Sequence, residues 1–89
     1  MNETMEGKLC RDPMLRYTNT AKAICETVMY IGDTNDKNNK GEYINIIAWE
    51  DLAMELDGFK KGDFISIGGY IKFNDYLNKE QFVIKEFIT

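Results

Sequence analysis

Tyr43, Trp49, Tyr70, Lys72 and Tyr76 are the residues of this chain whose types and spacing could hold a ligand made of flat rings and negative charges. The run Tyr43-Ile44-Asn45-Ile46-Ile47-Ala48-Trp49 alternates, so that Ile44, Ile46 and Ala48 share one face and Tyr43, Asn45, Ile47 and Trp49 the other. At about 3.3 Å per residue the two rings at its ends stand roughly 20 Å apart on an extended strand, too far to stack on each other but well spaced for successive ligand groups. A second alternating run, from Phe64 onward, turns Ile65, Ile67, Gly69 and Ile71 one way and Phe64, Ser66, Tyr70, Lys72, Asn74 and Tyr76 the other. Rings and an ammonium group thus share one surface.

Other chemistries are poorly supplied. The chain has no histidine, which removes the commonest general base, and it has no Gly-rich phosphate cradle and no Cys-His pairing. Two cysteines, Cys10 and Cys25, are too few for a disulfide framework and fit no zinc spacing, so both are expected to be inert core thiols. Catalysis, metal binding and a cofactor are not expected. The balance of 11 basic against 15 acidic residues, a formal net of -4, argues against a generic polyanion binder. Distribution matters more than the sum. Glu50, Asp51, Glu55 and Asp57 crowd into one short segment and Asp33, Asp36 and Glu42 into another, while Lys8, Arg11, Arg16, Lys22 and Lys72 fall on predicted strands or their turns.

Eighty-nine residues with 44% hydrophobic content suit one domain spanning 1–89, with no composition shift to mark a second. No apolar run approaches the roughly 18 to 20 residues of a membrane span, and Met1-Asn2-Glu3-Thr4-Met5-Glu6 lacks the order of a signal peptide. A cytoplasmic protein without membrane association is expected.

The elements that must position the rings are mostly strands. A first strand runs from about Thr4 to Cys10, with Gly7 as a possible bulge, and continues after the Asp12-Pro13 turn as an extended piece from Met14 to Thr18. A second covers Ala21 to Ile31 and ends in a polar hairpin loop from Gly32 to Gly41. After the Tyr43–Trp49 strand the period changes, and Leu52, Ala53 and Leu56 form a helical stripe with Gly58 as a left-handed stop. A fourth strand, Phe64 to Asn74, has a Gly68-Gly69 pair that permits a bulge, and a hairpin through Asp75–Glu80 returns as a fifth strand, Gln81 to Ile88. Three strands, a helix and two strands is the element order of the all-β, five-stranded oligonucleotide-binding (OB-fold) Greek-key barrel. An SH3-like barrel is the competing small fold. The helix between strands three and four and the length of the strands favour the OB-fold.

Three blocks in this order resemble the bacterial single-stranded DNA-binding protein (SSB) family. Gly7-Lys8-Leu9-Cys10-Arg11-Asp12-Pro13-Met14-Leu15-Arg16-Tyr17 resembles its G-x-L-x-x-D-P-x-x-R-Y segment, Tyr43 to Leu56 its strand-three and helix block, and Lys61-Gly62-Asp63 to Ile71 its K-G-(x)n-G-x-L strand. The resemblance implies that Tyr43 and Trp49 stack bases, that Tyr76 does so at the tip of the last hairpin, and that Lys72 and Arg16 lie near the nucleic-acid path. With Tyr70, Lys8 and Arg11 these make the expected single-stranded DNA site. The implied role is sequence-independent binding in DNA replication, recombination or repair, and the implied partner besides DNA is a second copy of the chain, as a dimer or tetramer.

Departures temper this. Asn2-Glu3-Thr4-Met5-Glu6 replaces the apolar first strand that the family uses between subunits, and Asn45 and Asn74 stand where the family often has arginine. The sequence ends at Thr89 without the glycine-rich linker and acidic tip by which the family recruits other proteins, so that kind of recruitment is not expected. Bland readings compete at each ring: Trp49 packed under the helix, Tyr43 as a plain edge-strand tyrosine, Tyr70 in a subunit interface. Tyr17 is expected to pack on the barrel, and Lys60-Lys61 to be a solvated turn. The alternative function is a protein-interaction module resembling primosomal replication protein N, and RNA binding by a cold-shock-type barrel is a third.

Overall fold

Alternation in the sequence becomes pleat in the structure. The computed structural model describes residues 3–32 and 41–88. Its elements are β1 (Glu3–Leu9), β2 (Met14–Tyr17), β3 (Ala23–Ile31), β4 (Glu42–Trp49), α1 (Asp51–Asp57), β5 (Phe64–Asn74) and β6 (Lys79–Phe87). Residues 33–40, most of the predicted hairpin loop and including Asp33 and Asp36, lie outside the described residues, as does Asn2.

The strands follow one another in the order β1-β5-β6-β4-β3, and a β1–β3 pairing closes them into a five-stranded barrel. β2 resumes the path of β1 after the Asp12-Pro13 bend and pairs with the far part of β3, from Met14 opposite Glu26 to Tyr17 opposite Ala23. β1 and β2 together are therefore the expected interrupted first strand. β4 and β6 run parallel and the remaining pairs antiparallel. α1 stands between the third and fourth barrel strands, where the OB-fold has it.

The interior takes one side of every strand. Leu9, Cys25, Met29, Ile46, Ala48, Ile67, Phe82 and Ile84 are buried together, and α1 adds Ala53 and Leu56 to the same core. Each large side chain buried in this way contributes about 1.5–3 kcal/mol relative to exposure. The stripe read from Leu52, Ala53 and Leu56 thus has its physical cause: it attaches a helix of seven residues that could not stand alone in water.

Several local expectations are corrected. β1 pairs with β5 without a break from Glu3 to Lys8, so Gly7 is no bulge. Gly7 instead makes room for the Tyr30 carbonyl, which a Cβ there would overlap. Gly58 is right-handed, with φ -77°, and donates its N–H to the Glu55 carbonyl at 3.1 Å. The positive-φ glycines are Gly41, φ +63°, before β4, and Gly62, φ +96°, in the turn into β5. Cys10 is half-buried, because the chain leaves the barrel at the bend, and Tyr17 is exposed, because β2 is an edge strand with no neighbour on its outer side. The bulge expected at Gly68-Gly69 is present as a register shift against β6.

Candidate functional site

Register converts alternation into a two-dimensional array, since residues directly opposite each other on paired strands point to the same face. On the outer face of β2, β3, β4, β6 and β5 one row reads Arg16, Ile24, Trp49. The next reads Met14, Glu26, Ile47, Val83, Tyr70, and the next Val28, Asn45, Gln81, Lys72. Beyond them Tyr30 faces Tyr43, and Asn74 faces Lys79. Ile24, Ile47 and Val83 bury against one another on this outer face, with Tyr70 packed on them. They form an apolar floor beneath the exposed rings.

A groove of about 470 Å³ opens over that floor, with Trp49, Tyr70, Lys72, Tyr76 and Lys85 in its walls. Its two lysines outnumber its one acid, Asp75, so the local sign is positive although the chain as a whole is acidic. Asp51, Glu55 and Asp57 are exposed on α1 and line none of it.

Each ring is set by local structure. Trp49 is 41% exposed and belongs to neither buried cluster, which removes the reading in which it packs beneath the helix. The next residue, Glu50, takes φ 56°, and its N–H donates to the Ala23 carbonyl at 2.8 Å while its Oε1 accepts from the Ala23 N–H at 3.2 Å. That doubly tied residue fixes where β4 ends and how the tryptophan leaves it. Tyr76 is fully exposed at the hairpin tip. Asn74 Oδ1 accepts from the N–H groups of Tyr76 and Leu77, at 2.9 and 3.1 Å, and Asn74 Nδ2 donates to Gln81 Oε1 at 3.1 Å. The tip is therefore a side-chain-closed turn tied to the groove floor.

Tyr43 lies apart from this groove. It is 71% exposed, packs at 5.1 Å and 58° against Tyr30, and borders a second depression with Asn45 and Lys79, where Glu42 and Glu80 outnumber the lysine. Lys8 stands opposite both Tyr30 and Phe64, on the seam that closes the barrel beside this tyrosine pair. Arg16 is on the same face as Trp49, but its Nη2 is 2.6 Å from Glu26 Oε1. Arg11, on the bend, lines a smaller depression that also contains Glu26 and Asn45.

Of the predicted site residues, the fold thus gathers Trp49, Tyr70, Lys72 and Tyr76 into one groove, places Tyr43 and Lys8 at the other end of the face, and leaves Arg11 and Arg16 toward β2. Sequence reading passed over Lys79, Lys85 and Tyr30. Lys85 Nζ sits 5.4 Å from the centre of the Tyr70 ring, a cation–π distance. The alternation Lys79, Gln81, Val83, Lys85 along the last strand was the available signal for the two lysines.

The sequence and the fold have counterparts. The model of the Single-strand binding protein family matches residues 1–86. The single-stranded DNA-binding protein of Streptococcus mutans is 33% identical over 84 residues, which cover 89% of this chain and 51% of that protein. Single-stranded DNA-binding protein B of Bacillus subtilis is 30% identical over 79 residues, covering 83% of this chain and 69% of that one. The chain spans about half the length of the streptococcal relatives it matches. Among solved structures, the wild-type single-stranded DNA binding protein of Thermus aquaticus superposes with a TM-score of 0.81 over 97% of this chain and 38% of its own, at 21% identity. The SSB domain of a Synechococcus sp. protein gives 0.82 over 97% and 91%, at 15% identity. At those identities the agreement is one of fold. Sequence match and barrel topology converge, and the chain belongs to the single-strand binding protein family.

Proposed function

We propose that this protein binds single-stranded DNA with little sequence preference, as a non-catalytic component of replication, recombination or repair. The observation that carries the reading is the groove in which Trp49, Tyr70 and Tyr76 stand with Lys72 and Lys85 above an apolar floor. Every base has a flat face, so stacking on such rings contributes about 1–3 kcal/mol per base whatever the sequence. The lysines supply phosphate contacts. Tyr43, beside Lys79 and within reach of Lys8 through Tyr30, extends the same path toward the far end of the sheet. The strand therefore crosses β4, β6 and β5, held more by stacking than by charge.

A fluorescence titration with oligo-dT of several lengths, at two salt concentrations, tests this. Trp49 emission should be quenched, and with about three to five phosphates neutralised log K should fall with log salt at a slope of about -2 to -3.5. A flat salt response with unquenched tryptophan would overturn the proposal. Competition by oligo-U measures the preference for DNA over RNA.

A further inference from the structure

Among the described residues, Arg16 and Glu26 form the one ion pair, at 2.6 Å, and it lies on the sheet face itself. Register shows why the two meet. Arg16 is opposite Ile24 and Glu26 is opposite Met14 on the β2–β3 ladder, so the charged side chains are diagonal neighbours pointing outward. Ile24 is in turn opposite Trp49, and Glu26 opposite Ile47, which places the pair directly beside the groove floor and its tryptophan. Lys72, Lys79 and Lys85 make no ion pair with another described residue. Of the two arginines, whose forked geometry suits a phosphate best, Arg16 on the sheet face is matched by a carboxylate, while Arg11 on the bend forms no ion pair with another described residue.

We propose that Glu26 withholds Arg16 from the bound strand and thereby limits the affinity of this face for single-stranded nucleic acid. The inference rests on the proposed function. A phosphate arriving at Arg16 must break the existing pair and leave the Glu26 carboxylate beside a polyanion. Exposed pairs are weak, and these side chains are 54% and 35% exposed, so the exchange is disfavoured rather than forbidden. Glu26 acts through Arg16 and is a positioning residue, one that holds a cation out of service.

The test is Glu26→Gln, which keeps the shape and an acceptor for Arg16 but removes the charge. In an oligo-dT titration it should bind about two- to fivefold more tightly at low salt, and the plot of log K against log salt should steepen by about 0.7, the signature of one more neutralised phosphate. Adding Arg16→Met to Glu26→Gln should erase both changes, a larger loss than the same substitution causes beside the native Glu26. Glu55→Gln, which removes the same charge from α1, should leave the slope unchanged. The inference is overturned if Glu26→Gln behaves like Glu55→Gln, or if its gain survives Arg16→Met, which would mean that the carboxylate acts on the strand directly or through Arg11, which lines the same depression. Failure of the unmutated protein to bind oligo-dT would overturn the proposed function itself, a result read before any variant is made.

Discussion

The two halves of the sheet face are built from similar residues and differ in what they offer a ligand. Toward β5 and β6, Trp49, Tyr70 and Tyr76 surround a groove whose lysines form no ion pair with another described residue. Toward β2 and β3, Met14 is exposed and Arg16 and Arg11 are available in principle, but β2 is an edge strand of four residues and its arginine is spent on Glu26. The difference is one of backbone. The eleven-residue β5 and its partner β6 extend into a hairpin closed by Asn74, which raises a wall, and the register shift at Gly68/Gly69 leaves Lys85 beside the Tyr70 ring. On the proposed function, a ring and a cation make a site where the strands form a concavity and leave the cation unpaired.

The largest effect should come from breaking that register shift. A Cβ at Gly69 would overlap the Val83 backbone carbonyl, whereas one at Gly68 would meet only the Glu86 side chain, which can swing aside. Gly69→Ala should therefore lose about 3 kcal/mol of stability, or fail to fold, by overpacking, and Gly68→Ala about 1 kcal/mol or less. Urea unfolding with matched m-values measures both. Equal losses would show that the register shift does not depend on this close approach.

Next in size is the contrast in stacking. Trp49→Ala should cost about 1–3 kcal/mol of oligo-dT affinity, while Met14→Ala, exposed on the same face over β2, should stay within about 0.5 kcal/mol. A loss at Met14 as large as that at Trp49 would put the strand on the wrong half. Charge sharpens the same contrast by less: Lys72→Gln and Lys85→Gln should each make the salt slope shallower by about 0.7, an effect read from titrations at several salt concentrations.

Much of this was legible from residue pattern, because alternation and helical stripe are local properties. The Tyr43–Trp49 run, the Leu52, Ala53 and Leu56 stripe and the Gly68-Gly69 bulge all have the structure expected of them. What could not be read depends on register between distant segments. Gly7 is a glycine because of Tyr30, and Glu26 cancels Arg16 only because Met14 pairs with Glu26 and not with a neighbour. Ile47 alternates with the exposed rings yet is buried, because Ile24 and Val83 flank it from two other strands. Gly58 was misread for a different reason: with Phe59 N–H donating to the Leu56 carbonyl at 3.0 Å, the helix end closes by right-handed turns and needs no left-handed residue.

The smallest effect in the series concerns the barrel core beneath the weaker half. Cys25 is fully buried, opposite Leu15 of β2 and Ala48 of β4, and burial, aided by the nearby Asp57 and Glu26 carboxylates, pushes its thiol from 9.0 up to about 11. Because the folded value is raised, the neutral thiol's contribution to stability is complete below pH 9.0 and is lost as pH rises through about 11. Urea midpoints should fall over that window in the native protein and less so in Cys25→Ala. Near pH 8 a thiol reagent should modify the half-buried Cys10 readily, and Cys25 only when β2 lifts from β3, an opening that a short edge strand permits at low cost. If a bound strand occupies the β5–β6 groove and leaves β2 alone, oligo-dT should change the Cys25 labelling rate by no more than about twofold. Strong protection of Cys25 would instead mean that the ligand clamps β2 onto β3, and the division of the face into a working half and a masked half would have to be abandoned.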